Sequence, residues 1–183
     1  MQSKSARFVR RLASVMVFPV ALVGCGGATA SANHSTMPST ITSTTPATGQ
    51  ILSAWLAAER AFHDAALTSN PDEPALKATM MSPQLDGARS ALARLRAAGD
   101  VAKGETGYGS PRLVSSISDK GTVVSCIDEA EVEVSDRTGQ PVPGVLGEAD
   151  FELVTSTMRL TSNGWKLASQ TVEEGKCSAS ERY

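Results

Sequence analysis

Few residues in this 183-residue chain have the type and spacing to do chemistry. Three are cysteines: Cys25, Cys126 and Cys177. His63 follows Glu59 by four residues, so a helix would bring the two side chains together. Such a pair could act as an acid/base couple, although helices present i,i+4 pairs for ordinary surface reasons too. Asp128 lies in the run Thr122–Val134, whose alternation places it on one face with Val124, Cys126, Ala130, Val132 and Val134. Glu129, Glu131 and Glu133 then point to the opposite, wet face. A buried carboxylate must be paired or hydrogen-bonded, or it holds on to its proton. Asp128 is therefore a carboxylate whose place on that face needs an explanation. Two readings stay open: a structural Asp bonded to backbone or to Arg159, or one turned outward by a bulge after Cys126. Trp55 and Phe62 could line a cavity, and Trp165 could pack on helices, yet core packing is the ordinary role of each. The chain carries no H-x-x-x-H spacing, nucleophile elbow, phosphate loop or paired-metal pattern. No metal, no cofactor and no catalytic residue is assigned.

Cys25 has a context of its own. Lys4, Arg7, Arg10 and Arg11 precede an uncharged run, Leu12–Val23. A basic segment followed by a short apolar one is the pattern of an export signal. The run is too short to span a bilayer, which needs ~20 apolar residues, and it contains Pro19. It ends in Leu22-Val23-Gly24-Cys25, which resembles the bacterial lipobox. The resemblance implies a diacylglyceryl thioether on Cys25 and cleavage that makes Cys25 the mature N-terminus. The ordinary alternative is a free or buried cysteine in a plain signal. Arg10-Arg11 raises twin-arginine export, but Leu12-Ala13-Ser14 fits that route poorly.

Residues 1–24 are thus expected to be a lipoprotein signal peptide and residues 25–49 a tether. From Gly26 to Gly49 nearly every residue is Gly, Ala, Ser, Thr or Pro. Such a stretch lacks the apolar surface to offset its ordering entropy, and as a coil it would span about 25–30 Å. Its Ser/Thr/Pro density also permits O-glycosylation. The leader holds four of the 17 basic residues and none of the 19 acidic ones, which leaves 13 against 19, a net −6. An acidic module without a basic cluster is a poor partner for nucleic acid.

Residues 50–183 read as one domain. Ile51, Trp55, Ala58, Phe62 and Ala65 make one face of a helix over Gln50–Ser69, with Glu59, Arg60 and Asp64 away from it. Asn70 is placed to cap with Glu73, with Pro71 in the first turn, ahead of a short helix over Pro74–Met80. Ser82-Pro83 opens a third helix with the stripe Leu85, Ala88, Leu92 and Leu95, and Gly99 closes it. After Asp100 the period becomes two. Strands are expected at Val101–Tyr108 (an edge), Arg112–Ser118, Thr122–Val134, Leu146–Leu160 and Trp165–Glu173. Phe151 and Leu153 are out of phase with Val154, Met158 and Leu160, which suggests a β-bulge. Asn163-Gly164 marks a hairpin.

The fold class is α+β: N-terminal helices packed on a curved four- to five-stranded antiparallel sheet. This order resembles the NTF2-like (nuclear transport factor 2-like) cone, as found in actinobacterial lipoproteins and secreted proteins. The matching features are the aromatic-bearing first helix, Cys126-Ile127-Asp128, Asn163-Gly164-Trp165-Lys166-Leu167 and Gly175-Lys176-Cys177, across roughly residues 50–178. In NTF2-like ketosteroid isomerases a cone Asp is the base beside a Tyr and a protonated Asp. The resemblance therefore implies an isomerase or hydratase using Asp128 as one alternative, and a dimerisation module as another.

Taking Cys25 out of the count leaves Cys126 and Cys177 as an even pair. A bridge between them would close a loop of about 50 residues, for about 4 kcal/mol in the chain-entropy model. A simple meander would set one strand between the two, beyond the ~7 Å that bridged Cα atoms allow. The tail must then double back, with Gly175 supplying the freedom to turn. Otherwise Cys126 is a buried thiol and Cys177 a free one. The expectation is a membrane-anchored envelope lipoprotein, attached through Cys25. Its domain would bind a small apolar ligand or an envelope protein rather than catalyse, with Trp55, Phe62, Tyr108 and Asp128 as candidate cone residues.

Overall fold

Helix α1 spans Thr48–Leu67 and turns Ile51, Trp55, Ala58, Ala61 and Ala65 into the core. These are what a computed structural model of the chain describes first; it describes residues 48–142, 151–174 and 176–177. The leader, Cys25, the tether, and the segments 143–150 and 178–183 lie outside the described residues, as does Gly175. The α+β architecture is as expected. Helices precede an antiparallel sheet and pack against it.

The second helix, α2, spans Pro74–Thr79. The expected cap at Asn70 does not start it. Asn70 Oδ1 instead accepts the backbone N–H of Asp72 at 3.2 Å and closes a local turn. Proline is therefore at the first helical position as Pro74, not Pro71. Helix α3, Gln84–Ala98, buries Leu85, Ala88, Leu92 and Leu95. Gly99 ends it at φ 78°, with the Gly99 and Asp100 N–H groups returning to Arg96 and Leu95.

Among the described residues seven strands follow: β1 Val101–Lys103, β2 Gly107–Tyr108, β3 Arg112–Ile117, β4 Lys120–Asp128, β5 Glu133–Ser135, β6 Phe151–Thr161 and β7 Gly164–Glu174. The main sheet runs β4-β6-β7, with β2 and β3 sharing the other edge of β4. β1 and β5 form a separate ribbon. The expected strand Thr122–Val134 is thus two strands. It stops at Asp128, and Glu129–Val132 make a turn closed by Val132 N–H on Glu129 C=O. Gly104 allows that turn to lie against the ribbon, because its φ is +90° and a Cβ there would sit 1.8 Å from the Glu131 carbonyl oxygen.

That break corrects the strand's phase. Gly121, Val123, Ser125 and Ile127 face the helices, while Val124, Cys126 and Asp128 face outward. In β6 the inward residues are Val154, Ser156 and Met158, so Phe151 and Leu153 lie on the outer face. β6 pairs with β4 without interruption from Lys120–Arg159 to Asp128–Phe151. The expected bulge is therefore not in β6. It is in β7, where Ala168 is the extra residue between the Thr157–Ser169 and Met158–Leu167 pairs. A second lies in β3 at Val114. Each lets its strand bend. The last hairpin closes at Thr161–Gly164, with Gly164 at φ 97°. Beyond β5, the Asp136 carboxylate accepts from the Thr138 hydroxyl and from the Thr138 and Gln140 amides, which holds its pKa below the ordinary carboxylate value.

Candidate functional site

The helix-facing side of the sheet carries polar groups among apolar ones. Gln170 of β7 donates to Glu59 of α1 and, at 3.1 Å, to Ser156 Oγ of β6. The Trp55 indole N–H donates to the same Oγ at 2.9 Å. All four residues are buried. Burial of a carboxylate, an amide and a hydroxyl is costly unless they are bonded, and here they bond one another. Around them Ile51, Val123, Ile127, Val154 and Met158 are fully buried.

The sequence sets Glu59 away from the apolar stripe of α1, yet the structure buries it. Glu59 flanks the stripe four residues after Trp55, and the sheet wraps far enough round α1 to cover it. A wider apolar stripe is normal for a core-facing helix, and that rule was the available signal. Gln170 had none. The Ala168 bulge moves the inward phase of β7 from Trp165 and Leu167 to Gln170, and a bulge is not visible in a period-two pattern.

The candidate cone residues separate. Tyr108 pairs with Ile127 and meets Trp55 edge to face, ring centroids 6.2 Å apart. Phe62 is half-buried against the core. Asp128 pairs with Gly107 and Phe151, on the opposite face of the sheet from Tyr108. Its Oδ1 accepts the N–H of Ala130 at 2.9 Å, so it braces the turn after β4. The alternatives foresaw an outward Asp, but the cause is plain alternation rather than a bulge after Cys126. Arg159 is not its partner; that guanidinium lies 3.0 Å from Asp119. His63 Nδ1 meets Thr106 Oγ1 at 3.0 Å while Glu59 holds Gln170, so the pair does not work as a couple.

Chemically the interior set is an acceptor cradle without an attacking group. Both bonds drawn to Ser156 Oγ come from donors. They occupy its lone pairs, the opposite of what a nucleophile needs from a neighbouring base. Among the described residues no three His, Cys, Asp or Glu side chains gather as metal ligands. Ser110, Arg112, Val124, Ser125, Cys126 and Leu153 line a shallow depression on the sheet that encloses no room for even a water-sized guest. Cys126 and Cys177 are joined in a disulfide with Cα atoms 5.8 Å apart.

No family model matches the chain, and no curated protein does. Among solved structures it is similar to a ketosteroid isomerase-like protein from Erwinia carotovora atroseptica, at 16% identity and TM-score 0.49 over 71% of this chain and 97% of that one. It is also similar to the intermembrane space region of the chloroplast protein ARC6, at 14% and 0.48 over 68% and 97%. An NTF2-like protein from Cytophaga hutchinsonii matches at 11% and 0.43 over 67% and 97%. Nothing about activity follows from these similarities.

Proposed function

We propose that this chain is a membrane-tethered, non-enzymatic accessory module with an NTF2-like domain, which works through its surface on an envelope protein partner. The observation that carries this reading is the bonded polar set on the helix-facing side of the sheet. Where a cone would hold an apolar ligand, Trp55 has no exposed surface and its indole is bonded to Ser156. Glu59 and Gln170 occupy the adjoining space and are bonded to each other. Asp128, the candidate base of the isomerase alternative, stands on the far side of the sheet from Tyr108. A general base must reach the proton it takes, and these two cannot share one substrate inside the cone.

The anchor rests on the Leu22-Val23-Gly24-Cys25 pattern behind a basic, apolar leader. Metabolic labelling with an alkyne-tagged fatty acid tests it. The full chain should take up label, and Cys25→Ala should lose it; label that survives the substitution sinks the anchor. The interior has a separate test. Titrating the protein with a small apolar probe such as anilinonaphthalene sulfonate should give no saturable change in tryptophan emission. One-to-one saturation that disappears in Trp55→Phe would return the ligand-binding cone to first place.

A further inference from the structure

The exposed apolar side chains are not scattered. Among the described residues four large ones are exposed: Leu67, Val114, Ile117 and Leu160. Two of these meet at one end of the sheet. Ile117, 75% exposed, closes the β3–β4 hairpin opposite Lys120. Leu160, 45% exposed, donates its backbone N–H to the Asp119 carbonyl of that hairpin at 2.8 Å. Val114 lies three residues before Ile117 on the same strand. The pairing continues across the sheet, with Lys120 opposite Arg159 and Arg159 opposite Lys166. Directly paired residues share a face. With strands about 4.8 Å apart, Ile117, Lys120, Arg159 and Lys166 make a row about 15 Å long. The Lys166 ammonium donates to the Lys77 carbonyl at 2.8 Å, which sets exposed Lys77 beside the row.

This tip is cationic on an acidic chain. Residues 25–183 hold 13 basic residues against 19 acidic ones. Asp119, the acid of the β3–β4 hairpin, lies 3.0 Å from Arg159. Lys166 has a neutral carbonyl as its partner, so its charge is not cancelled. Acids gather at the other end of the sheet. From Lys120, β4 runs about 27 Å to Asp128, and Glu129, Glu131 and Glu133 follow. Glu152, opposite Ile127, and Glu173, opposite Leu153, lie at that end too. The first helix starts at the cationic end. Ile51, near the start of α1, packs on Gly121 beside Lys120, where a Cβ would sit 3.1 Å from Ile51 Cδ1. The described chain therefore begins next to the cationic row. A single exposed apolar residue needs no explanation. Two of them beside a row of cations, at the end where the tether joins the domain, match a surface that meets anionic headgroups.

We propose that this tip is a membrane-contact site for anionic phospholipid. Ile117 and Leu160 enter the headgroup boundary, and Lys120, Lys166 and Lys77 meet the phosphates. The same surface repels the acidic end, so the contact orients the domain as well as holding it. The carboxylates from Asp128 to Glu133 then point away from the bilayer. The proposal rests on the tethered reading only for what brings the domain to a membrane.

The test uses the full chain with vesicles of equal parts phosphatidylglycerol and phosphatidylcholine. Vesicle-bound protein is isolated by flotation and acetylated, and the rate at each lysine is read by peptide mass spectrometry. One lysine at an anionic surface strengthens contact about fivefold, so Lys120 and Lys166 should react at least about fivefold more slowly than in free protein. Lys103 and Lys176, at the acidic end, should keep their rates. On phosphatidylcholine alone the protection of Lys120 should be absent. The double variant Ile117→Ser with Lys120→Glu changes two exposed positions and should return Lys166 to its rate in free protein. Three results overturn the proposal: Lys120 reacting on anionic vesicles as fast as off them, equal slowing on both vesicle types, or no chain bound to the anionic ones. A tip that serves a protein instead gives the first of these. The anchor is judged apart, by the fatty-acid label on Cys25. Label without protection of Lys120 sinks the tip alone, and protection without label sinks the anchor alone.

Discussion

Replacing Trp55 with alanine is expected to lower the free energy of unfolding by about 3–5 kcal/mol, the range for emptying a fully buried large aromatic. Trp55 has no exposed surface, and its ring meets Tyr108 edge to face. Two effects contribute and can be separated. The packing loss dominates, because the site lies between α1 and a paired sheet and cannot collapse freely. The hydrogen bond to Ser156 adds about 1 kcal/mol. Trp55→Phe keeps most of the ring and removes the donor, while Ser156 keeps its bond from Gln170. That variant should cost about 1–2 kcal/mol. Urea unfolding followed by far-UV circular dichroism measures both. A loss below 1 kcal/mol for the alanine variant would mean that Trp55 is not packed as described, and the ligand-binding cone would regain its footing.

How much of this was legible beforehand depended on how local the cause was. The stripes of α1 and α3 were readable because helical periodicity survives whatever packs on it. Gly99 was readable because a left-handed helix end favours glycine. The phase of β4 was not. Val123, Val124, Cys126 and Ile127 are apolar on both faces, so only the glutamates at 129, 131 and 133 appeared to settle it. Those residues belong to a turn and to another strand, so their phase does not carry back. The error moved Asp128 from outside to inside and with it the whole isomerase alternative. Phe151 and Leu153 showed the same ambiguity from the other side. They looked like a slip within β6, yet they lie on its outer face. In each case apolar residues on both faces of one sheet imitated a single irregular face. The cysteine pairing was legible by count, and the two Cα atoms lie 5.8 Å apart.

Gln170→Leu is expected to destabilise the domain by about 2–3 kcal/mol, although it places an apolar side chain of similar size in an apolar layer. Leucine would gain from burial, by about 1–2 kcal/mol. Against that, the buried Glu59 carboxylate loses a donor, and hydrogen bonds to charged groups are worth about 1.5–3 kcal/mol. Ser156 suffers less, since the indole of Trp55 still donates to it. The lost donor should therefore outweigh the gained methyls. The same reasoning predicts a recovery. In Glu59→Leu with Gln170→Leu both ends of the bond are gone, and replacing both partners by apolar groups of like shape is nearly neutral. The double variant should then be more stable than Gln170→Leu alone, with a coupling of about 1–3 kcal/mol in a double-mutant cycle. Additive losses would show that the two side chains do not depend on each other. They would also remove the reason for Ala168 to be the extra residue of β7, because what the bulge accomplishes is to turn Gln170 inward onto Glu59.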